Sequence, residues 1–123
     1  DVLDGQASVI DEQGRNVTTQ QVRGATQFLD RLKALHIEHA ILMDGSPSCG
    51  SNVLLKEDNW PKGGFKKGIG VAAALLRRHG ITVFSRFDER SISSFLSSFI
   101  ENFKPNDELK DLRDLPKFKA FFQ

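Results

Sequence analysis

Twice along this chain an amphipathic helical stretch runs, after a short break, into a brief apolar strand. That repeat restricts the fold to the α/β class. In the first unit Val22, Ala25, Leu29 and Leu32 mark a stripe at helical spacing, widened by Phe28 and Leu35. This helix ends near His36 and feeds the strand Ala40-Ile41-Leu42-Met43. The second unit leads from Gly68-Ile69-Gly70 into a helix over Val71–His79. Its last turn is basic, as the helix dipole favours, and Gly80 fits the position just past its end. The strand Ile81-Thr82-Val83-Phe84 follows. Helix, glycine and strand repeated in this order predict a small, mainly parallel sheet flanked by helices, Rossmann-like in its three layers.

Around these units the signals are local. Ala7-Ser8-Val9-Ile10-Asp11 alternates apolar and polar residues and predicts a short strand, with a turn at Glu12–Arg15. Thr18 and Gln21 have the spacing of a capping box for the first helix. Val53-Leu54-Leu55 reads as a short extended piece, and Lys56–Lys67, with Asp58, Asn59, Pro61, Gly63 and Gly64, as a mobile loop. Beyond residue 86 the chain turns Phe-rich, and eight of its ten phenylalanines follow residue 83. Asp88 is placed to cap a helix carrying Ile92, Phe95, Leu96, Phe99, Ile100 and Phe103, which Pro105 would stop. Leu109, Leu112 and Leu115 suggest a further short helix before Phe118, Phe121 and Phe122. The expected organisation is an α/β domain over 1–86 and a helical extension over 87–123. That extension would pack on the domain or on a partner subunit, making a homo-oligomer.

Lys and Arg number 17 against 16 Asp and Glu, for a net charge of +1. Dedicated nucleic-acid binders show a strong basic excess, so no nucleic-acid partner is expected. No apolar run approaches the ~20 residues of a membrane span. The first residues look nothing like a signal peptide, and the opening on aspartate reads as a fragment or processed product. A single cysteine excludes an internal disulfide and points to a reducing cytoplasm.

That cysteine sits in Ser46-Pro47-Ser48-Cys49-Gly50, just past the carboxyl end of the first strand. Ligands bind at this edge of open α/β sheets. Small polar residues around one thiol suggest a tight turn whose N–H groups favour an anion or a thiolate. Cys49 is then a buried structural thiol, a nucleophile or a metal ligand, and one cysteine cannot hold an iron–sulfur centre that takes four. His36 and His39 straddle a helix-to-strand junction and His79 closes another helix, so the histidines assemble no metal site with it. Gly68-Ile69-Gly70-Val71-Ala72-Ala73 matches the dinucleotide fingerprint but lacks a buried strand before it and an acidic ribose ligand after it. Gly68 and Gly70 would instead let the backbone approach a small anion at the helix start, with Lys62, Lys66 and Lys67 adding charge. Substrate or anion contacts are thus expected at Ser46, Ser48, Gly50, Gly68 and Gly70.

With these elements in order, the chain resembles the thiouracil desulfidase family. The residues that carry the resemblance are Gly14-Arg15-Asn16-Val17-Thr18, Arg23-Gly24-Ala25, the Ser46–Gly50 pentapeptide, Gly68–Leu76 and Gly80–Ser85, across about residues 7–85. The resemblance implies enzymes that hold a [4Fe–4S] cluster by three cysteines, leaving one iron open for sulfur removed from a thiolated pyrimidine. Cys49 would be the last of the three ligands and Ser46 a residue assisting the substrate, so these two are the expected catalytic pair. The other two cysteines, one in a Cys-Pro-Glu segment, belong to an N-terminal region with no counterpart in this sequence. A lysine usual before the pentapeptide is replaced around Met43-Asp44, Arg86 stands where an acid is usual, and the tyrosine-containing segment is missing. The expectation is therefore that this chain alone binds no cluster and is inactive. The alternative is a non-catalytic domain that binds a small molecule, an anion or a protein.

Overall fold

The computed structural model describes residues 1–56 and 63–123. In chain order these form α1 (Thr18–Ala34), β1 (His39–Leu42), β2 (Val53–Leu55), β3 (Phe65–Lys67), α2 (Val71–Arg78), β4 (Thr82–Ser85), α3 (Glu89–Ser97) and α4 (Pro116–Lys119). Short 3-10 turns at Leu112–Asp114 and Ala120–Phe122 flank α4. β1 and β4 pair in parallel, from His39 opposite Thr82 to Leu42 opposite Ser85. β2 and β3 form a separate antiparallel pair. The α/β class and the small parallel sheet expected from the repeat are both present.

Alternation along the two parallel strands decides the layers. Ala40, Leu42 and Val83 point to one face and join Leu29 and Leu32 of α1 and Ala73 and Leu76 of α2 in the main apolar cluster. His39 and Phe84 point to the other, where Phe95 of α3 meets them at ring-centre distances of 4.3 and 5.4 Å. Ile41 on this second face remains 56% exposed, so α3 covers it only in part.

Both helix-to-strand junctions use one device. At the end of α2 the Gly80 N–H donates to Arg77 O and the Ile81 N–H to Leu76 O. At the end of α1 the His36 N–H donates to Lys33 O and the Ile37 N–H to Leu32 O. Each pair of bonds is a Schellman closure, which needs a left-handed residue past the helix end. Gly80 takes that conformation at φ 78°, and His36 takes it at φ 55° despite its side chain. Left-handed backbone costs a residue with a Cβ roughly 1–2 kcal/mol. His36→Gly is therefore expected to stabilise the fold by about 1 kcal/mol, read from urea midpoints. A midpoint at or below that of the parent chain would refute the account.

Several local expectations are corrected. The strand over Ala7–Asp11 is reduced to a single bridge between Ile10 and Asn16. The Asp11 carboxylate takes the N–H groups of Gln13 and Arg15, which favours a turn over an extended ladder. The Thr18 hydroxyl caps no helix N–H and instead accepts from Val9 N. β3 falls at the end of the stretch read as a loop; Asp58, Asn59, Pro61 and Lys62 lie outside the described residues. α3 stops at Ser97, short of Phe103. There the Ser97 and Ser98 hydroxyls take the carbonyls of Ser94 and Phe95 at 2.6 Å each, offering the backbone an alternative to another helical turn.

The Phe-rich segment packs within the chain at the hairpin. Phe118, Leu112 and Val53 are fully buried together, with Phe65 and Phe87 ringing Phe118 at 4.9 and 5.7 Å. Asp88 ties this segment to the sheet, accepting from Ser85 N with one oxygen and from Leu112 N with the other. Phe99 stays 67% exposed. At the opposite end, Arg78 reaches Asp1 at 2.6 Å and Asp4 at 2.8 Å, pinning the first residues to α2. Its hydrogen bond holds the Asp4 carboxyl below the usual carboxylate range. Among the described residues no helix is long and apolar enough to cross a membrane.

Candidate functional site

β1 delivers the chain to Asp44, whose carboxylate organises everything that follows. It is 6% exposed. Its Oδ1 accepts from the N–H groups of Ser51, Asn52 and Val53 at 2.8–2.9 Å, and its Oδ2 from the Ser51 hydroxyl at 2.9 Å. Beside it, Gly45 donates to Val53 O and accepts from Leu55 N. Residues 44 and 45 therefore clamp the start of β2, and the chain between them is forced into a closed loop. Sequence reasoning missed Asp44, because an acid between an apolar strand and Gly-Ser looks like any solvated turn residue.

Within the loop Ser46 shapes the turn. Its Oγ accepts from Ser48 N at 3.2 Å and Cys49 N at 3.1 Å, and its carbonyl accepts from Gly50 N at 2.8 Å. A hydroxyl has two acceptor lone pairs and one O–H, so Ser46 is left as a donor. The N–H groups of residues 48 to 53 all donate within the protein, and the expected open nest is closed from inside.

The outward side of the turn holds the start of α2. Gly70 N donates to Gly50 O at 2.7 Å, Val71 N to Pro47 O at 3.3 Å, and Ala72 N and Ala73 N to Ser48 O at 2.9 and 3.3 Å. The donors that a helix start would offer an anion are spent on carbonyls of the pentapeptide. Gly70 is required for this approach, since a Cβ there would overlap the Ser48 carbonyl and lie 2.9 Å from Cys49 N. Gly50 is held as tightly: a Cβ would fall 2.6 Å from Val53 O. Gly68 donates to Asn52 O at 3.0 Å. Ser48, Gly50, Gly68 and Gly70 thus lie around one turn, where Gly70 bonds to Gly50, Gly68 to Asn52, and the Ser48 carbonyl takes the N–H groups of Ala72 and Ala73.

Cys49 is a free, half-buried thiol packed against the main apolar cluster. No histidine joins it: His36 closes α1, His39 stacks on Phe95 and His79 contacts Lys33 at 3.2 Å. Among the described residues no three His, Cys, Asp or Glu side chains are grouped to hold a metal. On the flank of the turn lies a recess of about 570 Å³, walled by Gly45 and Pro47, Leu54 and Leu55, Ile69 and Val71, and by Val2, Leu3, Val9 and Ile10 of the first segment. Lys56 and Lys66 stand at it, and Ser46 and Cys49 do not line it. Lys67 points to a different recess.

With this geometry in view, the comparisons with known proteins converge. Residues 2–88 match the model of a family described as 2-thiouracil desulfurase. The chain is 38% identical over 86 residues to the uncharacterized protein YbbK of Bacillus subtilis (strain 168), covering 69% of this chain and 55% of YbbK. Its fold is similar to a solved structure of a [4Fe-4S]-dependent thiouracil desulfidase, TudS, with a TM-score of 0.64 and 40% identity over 74% of this chain and 59% of that one. The chain thus spans little more than half the length of either relative.

Proposed function

Because the chain belongs to the 2-thiouracil desulfurase family, we propose that the Asp44–Gly50 turn is part of the site of a desulfidase acting on thiolated pyrimidines. Cys49 serves there as one thiolate ligand of an iron–sulfur centre, and Ser46 as a hydrogen-bond donor to the substrate. The observation that carries this reading is the placement of both side chains on one loop, fixed on one side by the buried Asp44 and on the other by α2. A donor whose lone pairs are already engaged by two N–H groups is polarised toward giving its proton to an electron-rich atom such as a thiocarbonyl sulfur.

The residues present do not fit a complete four-iron cluster. The 123 residues contain one cysteine, and such clusters take four thiolates, or three where an iron is left open. No chemical step is therefore assigned through a cluster on this chain, and by itself the chain is inactive in desulfidation. Anaerobic reconstitution with ferrous iron and sulfide should leave it without stoichiometric iron and without the broad sulfide-to-iron absorbance. Four irons and four sulfides bound per monomer would overturn this part of the reading. The lone free thiol fits a reducing cytoplasmic home.

One observation favours a second reading, a binding domain without chemistry. The apolar recess is large enough for a pyrimidine ring, and Cys49 does not line it. Under that reading 2-thiouracil and uracil raise the melting temperature alike, and Cys49→Ser leaves the effect intact.

A further inference from the structure

A second recess, of about 300 Å³, opens where the Phe-rich segment meets the α/β core, and the proposed desulfidase function makes no use of it. Three cations line it from three separate elements: Lys67 at the end of β3, Arg77 in the last turn of α2 and Arg113 in the 3-10 turn. No carboxylate lines it among the described residues. None of the three appears among the ion pairs of the described residues. The chain carries a net charge of only +1, so three cations lining one recess are not a reflection of a generally basic surface.

The cations are also held in place. Lys67 Nζ stands 5.5 Å, and the Arg113 guanidinium 4.9 Å, from the centre of the Phe122 ring, so one aromatic ring holds two charges that repel each other. Arg77 donates to the Ser51 carbonyl at 2.8 Å, which fixes its planar head while leaving further N–H groups to give. Two anchored guanidinium forks and an ammonium around one small volume suit a tetrahedral oxyanion, whose oxygens accept paired N–H donors. We propose that this recess is a phosphate site, taking inorganic phosphate or the phosphate group of a small monoester. Lys67 and Arg77 lie within the family-matched residues 2–88 and Arg113 and Phe122 beyond them, so the recess is complete only where the Phe-rich segment docks on the α/β core.

The test is a thermal-shift and calorimetric titration of the full chain. Inorganic phosphate and glycerol phosphate are the two probes, against sodium chloride at equal ionic strength. Saturable stabilisation by phosphate is expected. Arg113→Gln and Lys67→Gln should each weaken it about tenfold, and Lys104→Gln, away from the recess, should leave it unchanged. Lys67 is exposed, so its variant tests charge even if Arg113→Gln folds poorly. Tighter binding of the monoester assigns the ligand to organic phosphates, and equal or tighter binding of the free ion assigns it to phosphate itself. A shift that never saturates and equals that of chloride, or one that survives both glutamine variants, means an adventitious ion only and overturns the proposal.

Discussion

Asp44→Ala should lower global stability by about 3–5 kcal/mol, enough to unfold a marginal domain. Removing the carboxylate orphans the N–H groups of Ser51, Asn52 and Val53 together with the Ser51 hydroxyl. Ser51 and Val53 are buried, at 2% and 0% exposure, so water cannot take the place of the lost acceptor without opening the core. Each buried donor left unpaired costs about 1–3 kcal/mol. Asp44→Asn separates hydrogen bonding from charge. Its amide oxygen can keep the three N–H donors, and the Ser51 hydroxyl can rotate to accept from the new N–H group. Only the charge assistance is lost, for an expected cost of about 1–2 kcal/mol. Urea unfolding followed by far-ultraviolet circular dichroism reads both values. An alanine variant within about 1 kcal/mol of the parent would show that the loop does not depend on this carboxylate.

Gly70→Ala is expected to cost about 3 kcal/mol and to part the turn from α2. The added methyl meets the backbone of Ser48 and Cys49, which cannot swing aside as a side chain could. Either the turn shifts and its bonds from Val71, Ala72 and Ala73 lengthen, or the first helical turn frays. Both outcomes expose the half-buried Cys49, so alkylation of the thiol should accelerate along with the loss of stability. The control is Gly24→Ala in the middle of α1, where an added Cβ meets nothing within 4 Å. There the same substitution should stabilise by about 0.5–1 kcal/mol through helix propensity alone. Equal effects at the two glycines would refute the close-approach account.

What the sequence disclosed follows from which forces act locally. α1, α2, β1 and β4 were legible because the apolar stripes of Leu29 and Leu32, and of Val71 and Leu76, meet the requirement for burial. The pentapeptide stood out because small polar residues surround one thiol at a strand end. The function of Asp44 was hidden, since its partners arrive seven to nine residues later and only the folded loop brings them to it. The glycines at 68 and 70 suggested room for an anion, yet the space at Gly70 is filled by the Ser48 carbonyl and that at Gly68 by the Leu54 side chain. β3 was obscured by two lysines in three residues, because an edge strand with exposed positions leaves no apolar alternation to read.

The parallel pairing of β1 with β4 has a kinetic consequence. The Asp44 loop, the hairpin and α2 all lie between the two strands, inside the loop of chain that their pairing closes. Closing so long a loop is an entropic cost met before its contacts return anything. The α2 N–H groups that grip Pro47 and Ser48 belong to the same closure, so the turn cannot mature as an independent hairpin would. Cys49 therefore reaches its place only when the whole domain does. A chain stalled before that step carries its one thiol unshielded, at the stage when oxidation or a wrong partner is hardest to avoid.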